Sequence, residues 1–252
     1  MAQVTIHVPP RPYQARIENG LLSRAGALLA ELLPQSSKLF VVTAPPIRRR
    51  WGAKLLDSLI SAGFKPQVLQ IPDGEPAKKL ATIETMAERL VRLGADRKAV
   101  LVALGGGVVG DVTGLLSSLY MRGVDLVQIP TTVLAQVDAS VGGKTAVNLG
   151  AGKNLLGTYH HPRVVLIDPE VLLTLSDRAF RAGLYEALKC GIIGDVDLFL
   201  RFEQKRAQIL KRDPSEIEGL IAQSVKLKAE IVSRRPSYFA LKLSMLRCCG
   251  RH

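Results

Sequence analysis

The chain has 252 residues, with 34 Lys and Arg against 22 Asp and Glu, which gives a formal net charge of +12. A hydrophobic content of 47% is too high for a disordered chain, and three cysteines are too few for a disulfide scaffold. The sequence contains no apolar run of about 18 residues, which excludes a predicted membrane span. The first residues lack the apolar block of a signal peptide, so we expect a cytoplasmic protein.

The positive charge is unevenly distributed. Five Lys or Arg and no acidic residue lie between Arg234 and His252, and without them the excess falls to +7. An enzyme of anionic substrates can carry that smaller excess, so we expect no nucleic-acid partner. A basic nucleic-acid binder stays a competing interpretation, and it predicts salt-dependent DNA binding.

Strands and helices alternate over the first part of the chain. Paired strands are predicted over 3–8 and 13–18, followed by helices over 21–33, 51–62 and 78–93 and by strands over 38–43, 67–71, 98–104, 125–129 and 164–167. Apolar strands that alternate with helices are typical of a parallel sheet covered on both faces. After Ser176 the pattern changes to helices over 177–193, 196–211 and 214–233, with Asp213 and Pro214 as N-cap and first helical residue of the last one.

A glycine loop follows the strand that ends at Leu104. Gly105 to Gly110 satisfies G-x-G-x-x-G, and such a loop at a helix N-terminus can bind a pyrophosphate through its backbone N–H groups. The pattern alone is weak, because a tight strand-to-helix turn explains it equally well. No acidic residue closes a second strand about 20 positions later, as a dinucleotide fingerprint requires.

More specific stretches surround this loop. They are Pro72-Asp73-Gly74-Glu75, Tyr120-Met121-Arg122-Gly123, Gly152-Lys153-Asn154-Leu155-Leu156-Gly157 and, above all, PTTVLAQVDASVGGKTAVN over 130–148. From residue 3 to Ser233 the chain resembles 3-dehydroquinate synthases, which belong to the sugar-phosphate cyclase superfamily.

The resemblance implies an NAD-dependent and zinc- or cobalt-dependent cyclase of the shikimate pathway, homodimeric in its full-length members. Such an enzyme converts 3-deoxy-arabino-heptulosonate 7-phosphate to 3-dehydroquinate and phosphate. It also implies an α/β fold, with an N-terminal Rossmann-like NAD-binding domain over 1–175. The start of a helical substrate and metal domain, incomplete here, spans 176–233, and a tail unlike the family spans 234–252.

The resemblance also assigns functional residues. Substrate contacts are expected from Arg122, Asp138, Lys144, Asn154, Lys189 and Lys228. NAD contacts are expected from Asp73, Gly74, Glu75, Lys78, Gly107, Val108, Val109, Gly110, Asp111, Thr131, Thr132, Lys144, Lys153, Val171, Leu172, Leu173 and Thr174. Glu186 is expected to bind the metal.

Two of these assignments have a local rationale. Lys144 and Lys153 are expected in glycine-bracketed loops, where the backbone can approach a ligand closely. Glu186 and Lys189 are three residues apart and share one helical face, although without the resemblance they would be an ordinary surface ion pair.

The sequence departs from the family at several positions. Ala44 stands where Asp or Asn is usual, so one cofactor contact is expected to be missing, and His161 replaces a common Gln. His160 and His161 are expected in a loop rather than as metal ligands. After Ser233 the family's D-E-R-E and N-x-G-H-T stretches, with two zinc histidines, are absent.

We therefore expect residues 234–252 to be a frame-shifted or misread tail, and the chain to retain NAD binding with little cyclase activity. A replacement metal cluster of Cys248, Cys249 and His252 is the rival interpretation. Other readings of the whole chain are a cyclase that makes an inosose, a valiolone or an aminodehydroquinate, a non-catalytic NAD-binding module, and a metal-dependent polyol dehydrogenase.

Overall fold

The computed structural model describes residues 1–34 and 38–234, so the predicted tail beyond Arg234 lies outside the described residues, including its cysteine and histidine cluster. Within those ranges seven strands form one sheet in the order β1-β2-β9-β6-β5-β3-β4. Their bounds are β1 Ala2–Ile6, β2 Tyr13–Ile17, β3 Leu39–Thr43, β4 Gln67–Gln70, β5 Val100–Gly105, β6 Asp125–Pro130 and β9 Val164–Ile167. All neighbours pair in parallel except β1 with β2.

Helices connect and follow these strands. They are α1 Ala25–Leu32, α2 Pro45–Ile47, α3 Ala53–Ser61, α4 Leu80–Arg92, α5 Gly107–Leu119, α6 Asp177–Gly194, α7 Val196–Gln204, α8 Arg206–Leu210 and α9 Pro214–Arg234. The expected single helix over 196–211 is wrong, because the chain leaves helical geometry at Lys205 between α7 and α8. The helix expected from residue 78 begins at Leu80, after a 3-10 turn over Glu75–Ala77.

The central strands are buried on both faces, as their continuous apolar sequences predict. Along β3, Leu39 and Val41 pack into one core while Phe40 and Val42 pack into the other. The first core includes residues of α1, α3, α6, α7 and α9, and the second includes residues of α4 and α5. The prediction of an α/β fold with a parallel sheet is therefore confirmed.

A hairpin that sequence reasoning missed crosses α5. Its strands are β7 Lys144–Leu149 and β8 Gly152–Tyr159, which pair antiparallel. Lys144 and Lys153 therefore lie in strands, and their assignment to loops is wrong. The glycine-containing connection Gly150-Ala151-Gly152 is the sequence signal for such a hairpin.

Helix α9 ties the end of the described chain back to its beginning. It packs against β1 and β2, and the backbone N–H of His7 donates to the Ser233 hydroxyl at 3.0 Å. The predicted N-cap is present, since Asp213 Oδ1 accepts from the N–H groups of Ser215 and Glu216. Helices α6 and α9 share one hydrophobic core with the sheet, so the core does not separate two domains near residue 175. The domain boundary there stays a prediction. Among the described helices none is long and apolar enough to cross a membrane.

Gly26 allows α1 to touch α3. A Cβ atom there would lie 1.9 Å from the backbone oxygen of Ser58, an atom that cannot rotate away. We expect Gly26→Ala to lower the free energy of unfolding by about 2 kcal/mol or more, because the two helices must separate. Urea denaturation measures this change. Gly150→Ala, where a Cβ meets no atom within 4 Å, is the control, and equal effects of both variants would contradict the packing argument.

Candidate functional site

The glycine loop lies at the carboxyl edge of the parallel sheet. Gly105 ends β5, Gly107 begins α5, and the N–H of Thr131 at the end of β6 donates to the Gly105 carbonyl at 2.9 Å. A Cβ on Gly106 would lie 3.0 Å from Thr132 Cγ2, so the loop backbone and the threonines are closely packed. No side chain of the described residues caps α5, which leaves its N-terminal dipole available to an anion.

The residues of this loop differ in how closely a ligand can approach them. Val109 is buried in the core, so only its backbone can contact a ligand, whereas a Cβ on Gly107 would make one ordinary contact, 3.8 Å from Ala139 Cβ. Gly110 packs on Gln128, and Asp111 accepts from the Lys78 ammonium. The cofactor residues expected here, Gly107–Asp111, thus form the first turn of α5, which we call the arc.

Lys78 is the centre of a buried polar network. Its ammonium donates to Asp111 Oδ2 at 2.6 Å and also contacts Asn154 Oδ1, while its backbone carbonyl accepts from Asn148 N–H at 2.8 Å. The lysine side chain is only 6% exposed. Burial nevertheless raises the pKa of Asp111, because desolvation outweighs the attraction of the Lys78 ammonium. The network fastens the hairpin to α5.

Glu75 forms the outer part of the same network. Asn148 Nδ2 donates to its Oε1 at 2.8 Å, and the Lys153 ammonium lies 3.7 Å from that oxygen. The Asn148 hydrogen bond, with Lys78 and Lys153, lowers the pKa of Glu75 below its usual range. Asp73 and Gly74 precede Glu75 on an exposed turn. Asn148 was not among the expected site residues, although it closes the 130–148 motif.

A second charged group lies beside the first. Lys228 on α9 is 5% exposed and contacts Asp138 Oδ1, across 90 residues of sequence. Lys144 stands nearby, since burial and the Lys228 ammonium lower its pKa while Asp138 raises it. Lys228 therefore does not lie on a solvated helix face. The structure brings Asp138, Lys144 and Lys228 together.

Helix α6 adds the remaining charges. Lys189 Nζ donates to Glu186 Oε2 at 2.6 Å, as their spacing predicts. Cys190 on the same helix lies close enough to Asp138 and Lys228 for their charges to affect its pKa. Its pKa rises to about 11, first through burial and then through the Asp138 carboxylate, against the opposing effects of Lys228 and Lys189.

The segment 171–174 forms a 3-10 turn, Pro169–Thr174, after β9 at the same edge of the sheet. Gln136 Nε2 donates to the carbonyls of Pro130 at 3.1 Å and Asp168 at 2.8 Å, which joins the ends of β6 and β9. Val171 and Leu172 are buried, and Leu173 is 54% exposed. Gln136 is another residue that sequence reasoning did not select.

Some expected residues lie elsewhere. Arg122 is exposed on the turn that precedes β6, at the amino edge of the sheet, about 20 Å or one strand length from Thr131. His160 Nε2 donates to the Val124 carbonyl at 2.9 Å, and the tilted rings of His161 and Tyr13 lie with their centroids 5.8 Å apart. Ala44 is buried after β3.

The described residues suit NAD better than a metal ion. The glycine backbone, the threonines and the uncapped start of α5 provide what a dinucleotide pyrophosphate requires. A catalytic zinc needs about three protein ligands. Within 1–34 and 38–234 no three His, Cys, Asp or Glu side chains cluster in this way, and the Glu186 carboxylate is paired with Lys189. The described part of the chain does not by itself fit a zinc site.

The fold and the clustered charges define an α/β protein with a dinucleotide-type glycine loop beside a lysine-rich pocket. The model of the 3-dehydroquinate synthase N-terminal domain matches residues 68–182, and that of the C-terminal domain matches residues 183–237. The chain belongs to the 3-dehydroquinate synthase family.

Relatives support this assignment along almost the whole chain. The 3-dehydroquinate synthase of Koribacter versatilis is 48% identical over 232 residues, which cover 92% of this chain and 63% of the relative. That of Solibacter usitatus is 45% identical over 92% of this chain and 64% of its own length. The enzyme of Thermodesulfovibrio yellowstonii is 41% identical over 96% and 67%. The chain thus spans slightly less than two thirds of the first two relatives.

Solved structures share the fold. A 2-epi-5-epi-valiolone synthase from Streptomyces hygroscopicus with NAD+ and Zn2+ bound has a TM-score of 0.82 at 32% identity, over 90% of this chain and 63% of that one. A 2-deoxy-scyllo-inosose synthase complexed with carbaglucose-6-phosphate, NAD+ and Co2+ has a TM-score of 0.80 at 26% identity, over 92% and 64%. An iron-containing alcohol dehydrogenase, at 14% identity, shares the fold alone.

Removal of Lys78 alone should destabilise the fold strongly. We expect Lys78→Met to lower the free energy of unfolding by about 3 kcal/mol, because Asp111 keeps its buried carboxylate without a partner. Lys153→Met is the matched control. The Lys153 side chain is 74% exposed, so its ion pair with Glu75 should contribute less than about 0.5 kcal/mol to stability. Chemical denaturation compares the two. If the Lys78 variant is as stable as the control variant, the network does not contribute to the free energy of unfolding.

Lys144 should titrate below the ordinary lysine range. Its folded pKa is lowered by burial and by Lys228, so stability should rise as pH increases from that folded pKa to the higher unfolded value. NMR titration of reductively 13C-methylated protein measures the pKa, and Lys144→Met assigns the signal. Lys228→Met should move the Lys144 pKa back upward. An unchanged or lower pKa in that variant would contradict the proximity of the two ammonium groups.

Proposed function

We propose that this chain supplies the NAD-binding part and much of the substrate pocket of a 3-dehydroquinate synthase. The reaction converts 3-deoxy-arabino-heptulosonate 7-phosphate to 3-dehydroquinate and phosphate. The observation that carries the proposal is the convergence of Asp138, Lys144 and Lys228 beside the arc at the start of α5. These residues come from three separate elements, and their charge suits a substrate with both phosphate and carboxylate.

The cofactor would bind across the carboxyl edge of the sheet. Its pyrophosphate would lie on the N–H groups at Gly107, while Thr131 and Thr132 would contribute hydroxyl groups from the adjacent strand end. Glu75 can accept from ribose hydroxyls, because its lowered pKa keeps it ionised. When bound, NAD would accept a hydride from a substrate carbon and later return it.

The lysines would bind and orient the substrate. Lys144, Lys189 and Lys228 offer ammonium donors, and Asp138 offers a carboxylate that can accept from a substrate hydroxyl. In a pocket with restricted water, fixed charges of this kind stabilise the negative charge that develops as phosphate leaves. The partial burial that lowers the Lys144 pKa strengthens its attraction for an anion when it is protonated.

Metal chemistry is outside what the described residues support. Glu186 would be one ligand by resemblance, and further ligands would have to come from residues beyond those described. Zinc would supply polarisation of substrate oxygens in a complete site. We assign no step to it here.

Activity is tested best in a chimera that restores the length of the relatives. Residues 1–233 are joined to the part of the Koribacter versatilis relative that follows its matching region. The chimera with NAD and Zn2+ should release phosphate from the heptulosonate phosphate. The change Lys144→Met in it should lower the rate by about 100-fold or more without abolishing NADH binding, because a fixed charge is lost.

The controls separate the substrate from the cofactor. NADH binding to the 252-residue chain, followed by fluorescence, tests the dinucleotide site independently of turnover. A chimera that binds NADH but releases phosphate only from glucose 6-phosphate would favour the inosose-type alternative, to which one solved neighbour belongs. A folded chimera without NADH binding would overturn the proposal.

Other expectations stay proposals of the same kind. The predicted homodimer is measurable by sedimentation of the chimera, and the cytoplasmic location by cell fractionation. The charge distribution supports the expectation of no nucleic-acid partner, and salt-dependent DNA binding by the chain would contradict it.

A further inference from the structure

The turn Pro169–Thr174 is held from several sides. At its start, Asp168 Oδ1 accepts from the N–H groups of Gly20 and Glu170, both at 2.9 Å, and Oδ2 accepts from Leu22 N–H at 2.9 Å. At its end, Trp51 Nε1 donates to Thr174 Oγ1 at 3.1 Å. These contacts fix both ends of the turn. Between them the Leu172 carbonyl accepts from the Leu175 N–H at 3.1 Å, and a further side-chain donor reaches the Leu172 and Leu173 carbonyls together.

Arg212 is that donor. Its Nη1 atom donates to the Leu172 carbonyl at 3.1 Å and to the Leu173 carbonyl at 3.0 Å, while Nη2 donates to Asp177 Oδ1 at 2.8 Å. The guanidinium carbon also lies 4.6 Å from the centre of the Phe180 ring. The arginine side chain is 13% exposed. One planar group therefore joins two backbone acceptors, a carboxylate and an aromatic face, which a lysine ammonium cannot do.

The backbone of Arg212 adopts an unfavourable conformation. Its φ is +60°, in the left-handed region that disfavours a residue with a Cβ atom. It lies in the connection between α8 and α9, where glycine or asparagine would adopt this conformation more readily. The contacts of the guanidinium offset that strain. The side chain of Arg212, and not its backbone preference, therefore explains an arginine at this position.

The braced turn is adjacent to the proposed cofactor site. Gln136 donates both to Pro130, which precedes Thr131 and Thr132, and to Asp168, which precedes the turn. Leu173 is half exposed, so the turn presents a side chain outward while its carbonyl groups face Arg212. A turn fixed in this way needs no reordering when a ligand binds, and such preorganisation increases affinity.

We propose that Arg212 is a positioning residue for NAD, acting through the 171–174 turn without touching the cofactor. The inference rests on the proposed function, because the NAD contacts of this turn are those that the resemblance to the family implies. Removal of the guanidinium would take the side-chain donor from the Leu172 and Leu173 carbonyls, and only the Leu175 N–H would still donate to Leu172. The turn would then sample other conformations, and NAD binding would have to restore the ordered one.

The test measures NADH affinity by fluorescence titration of the 252-residue chain, together with thermal unfolding. Arg212→Gly removes the guanidinium and also relieves the left-handed strain. We expect the Kd for NADH to rise about tenfold. Ethylguanidinium added to this variant should restore most of the affinity, whereas ethylammonium should not. Arg201→Gln is the control, because Arg201 pairs with Glu216 at 3.0 Å on α9 without a contact to the turn among its hydrogen bonds in the described chain.

A second variant protects the test against misfolding. Arg212→Lys keeps the charge and should give a Kd between those of the parent and Arg212→Gly. If Arg212→Gly is folded and binds NADH as the parent does, or if ethylguanidinium has no effect on its weakened binding, the positioning role is wrong. If Arg212→Gly is unfolded, an Arg212→Lys protein with the parent Kd overturns the proposal. Absence of NADH binding in the parent itself would instead overturn the proposed function.

Discussion

The site depends on one buried ammonium group, that of Lys78. A lysine with 6% exposure is tolerated when its charge is balanced and its donors are used, and here Asp111 and Asn154 provide both. These partners lie on α5 and on the β7–β8 hairpin. The lysine therefore sets the distance between the glycine loop and the strands that carry Lys144 and Lys153. Desolvation raises the pKa of Asp111 in spite of the pair, so the contact supports a geometry at some cost in stability.

Two charged groups and one turn converge around that centre. Asp138 and Lys228 join the π-helical turn Ala135–Ala139 to α9, and Glu186 and Lys189 extend the charge along α6. Gln136 then connects this side with the turn after β9. The sheet edge fixes the position of each loop, and under the proposed function the long side chains would supply the chemistry. This division explains how one fold can accommodate the cyclases and dehydrogenases that share it.

Sequence patterns predicted the sheet well because its strands are buried on both faces and consist of continuous apolar residues. They also predicted the Asp213 cap and the Glu186–Lys189 pair, whose partners are three residues apart or closer. The hairpin was not predicted, because its second strand is mostly exposed and lacks the alternation of apolar and polar residues that marks a half-buried strand. Arg212 was not predictable, since its acceptors are backbone carbonyls about 40 residues away, and a carbonyl has no sequence signal. The same holds for the carbonyls that Gln136 joins.

The contact between His7 and Ser233 has a consequence for the order of folding. It spans 226 residues, and the neighbouring Asp138–Lys228 pair spans 90, so the pocket is closed by long-range contacts that carry a high loop-closure cost. On a ribosome, the sheet core between β3 and β9 can form before α9 emerges. The contact of Asp138 with Lys228 must wait for α9, as must the cover that this helix gives β1 and β2. The protein would therefore form the carboxyl edge of its sheet early in synthesis and the cluster of Asp138, Lys144 and Lys228 late.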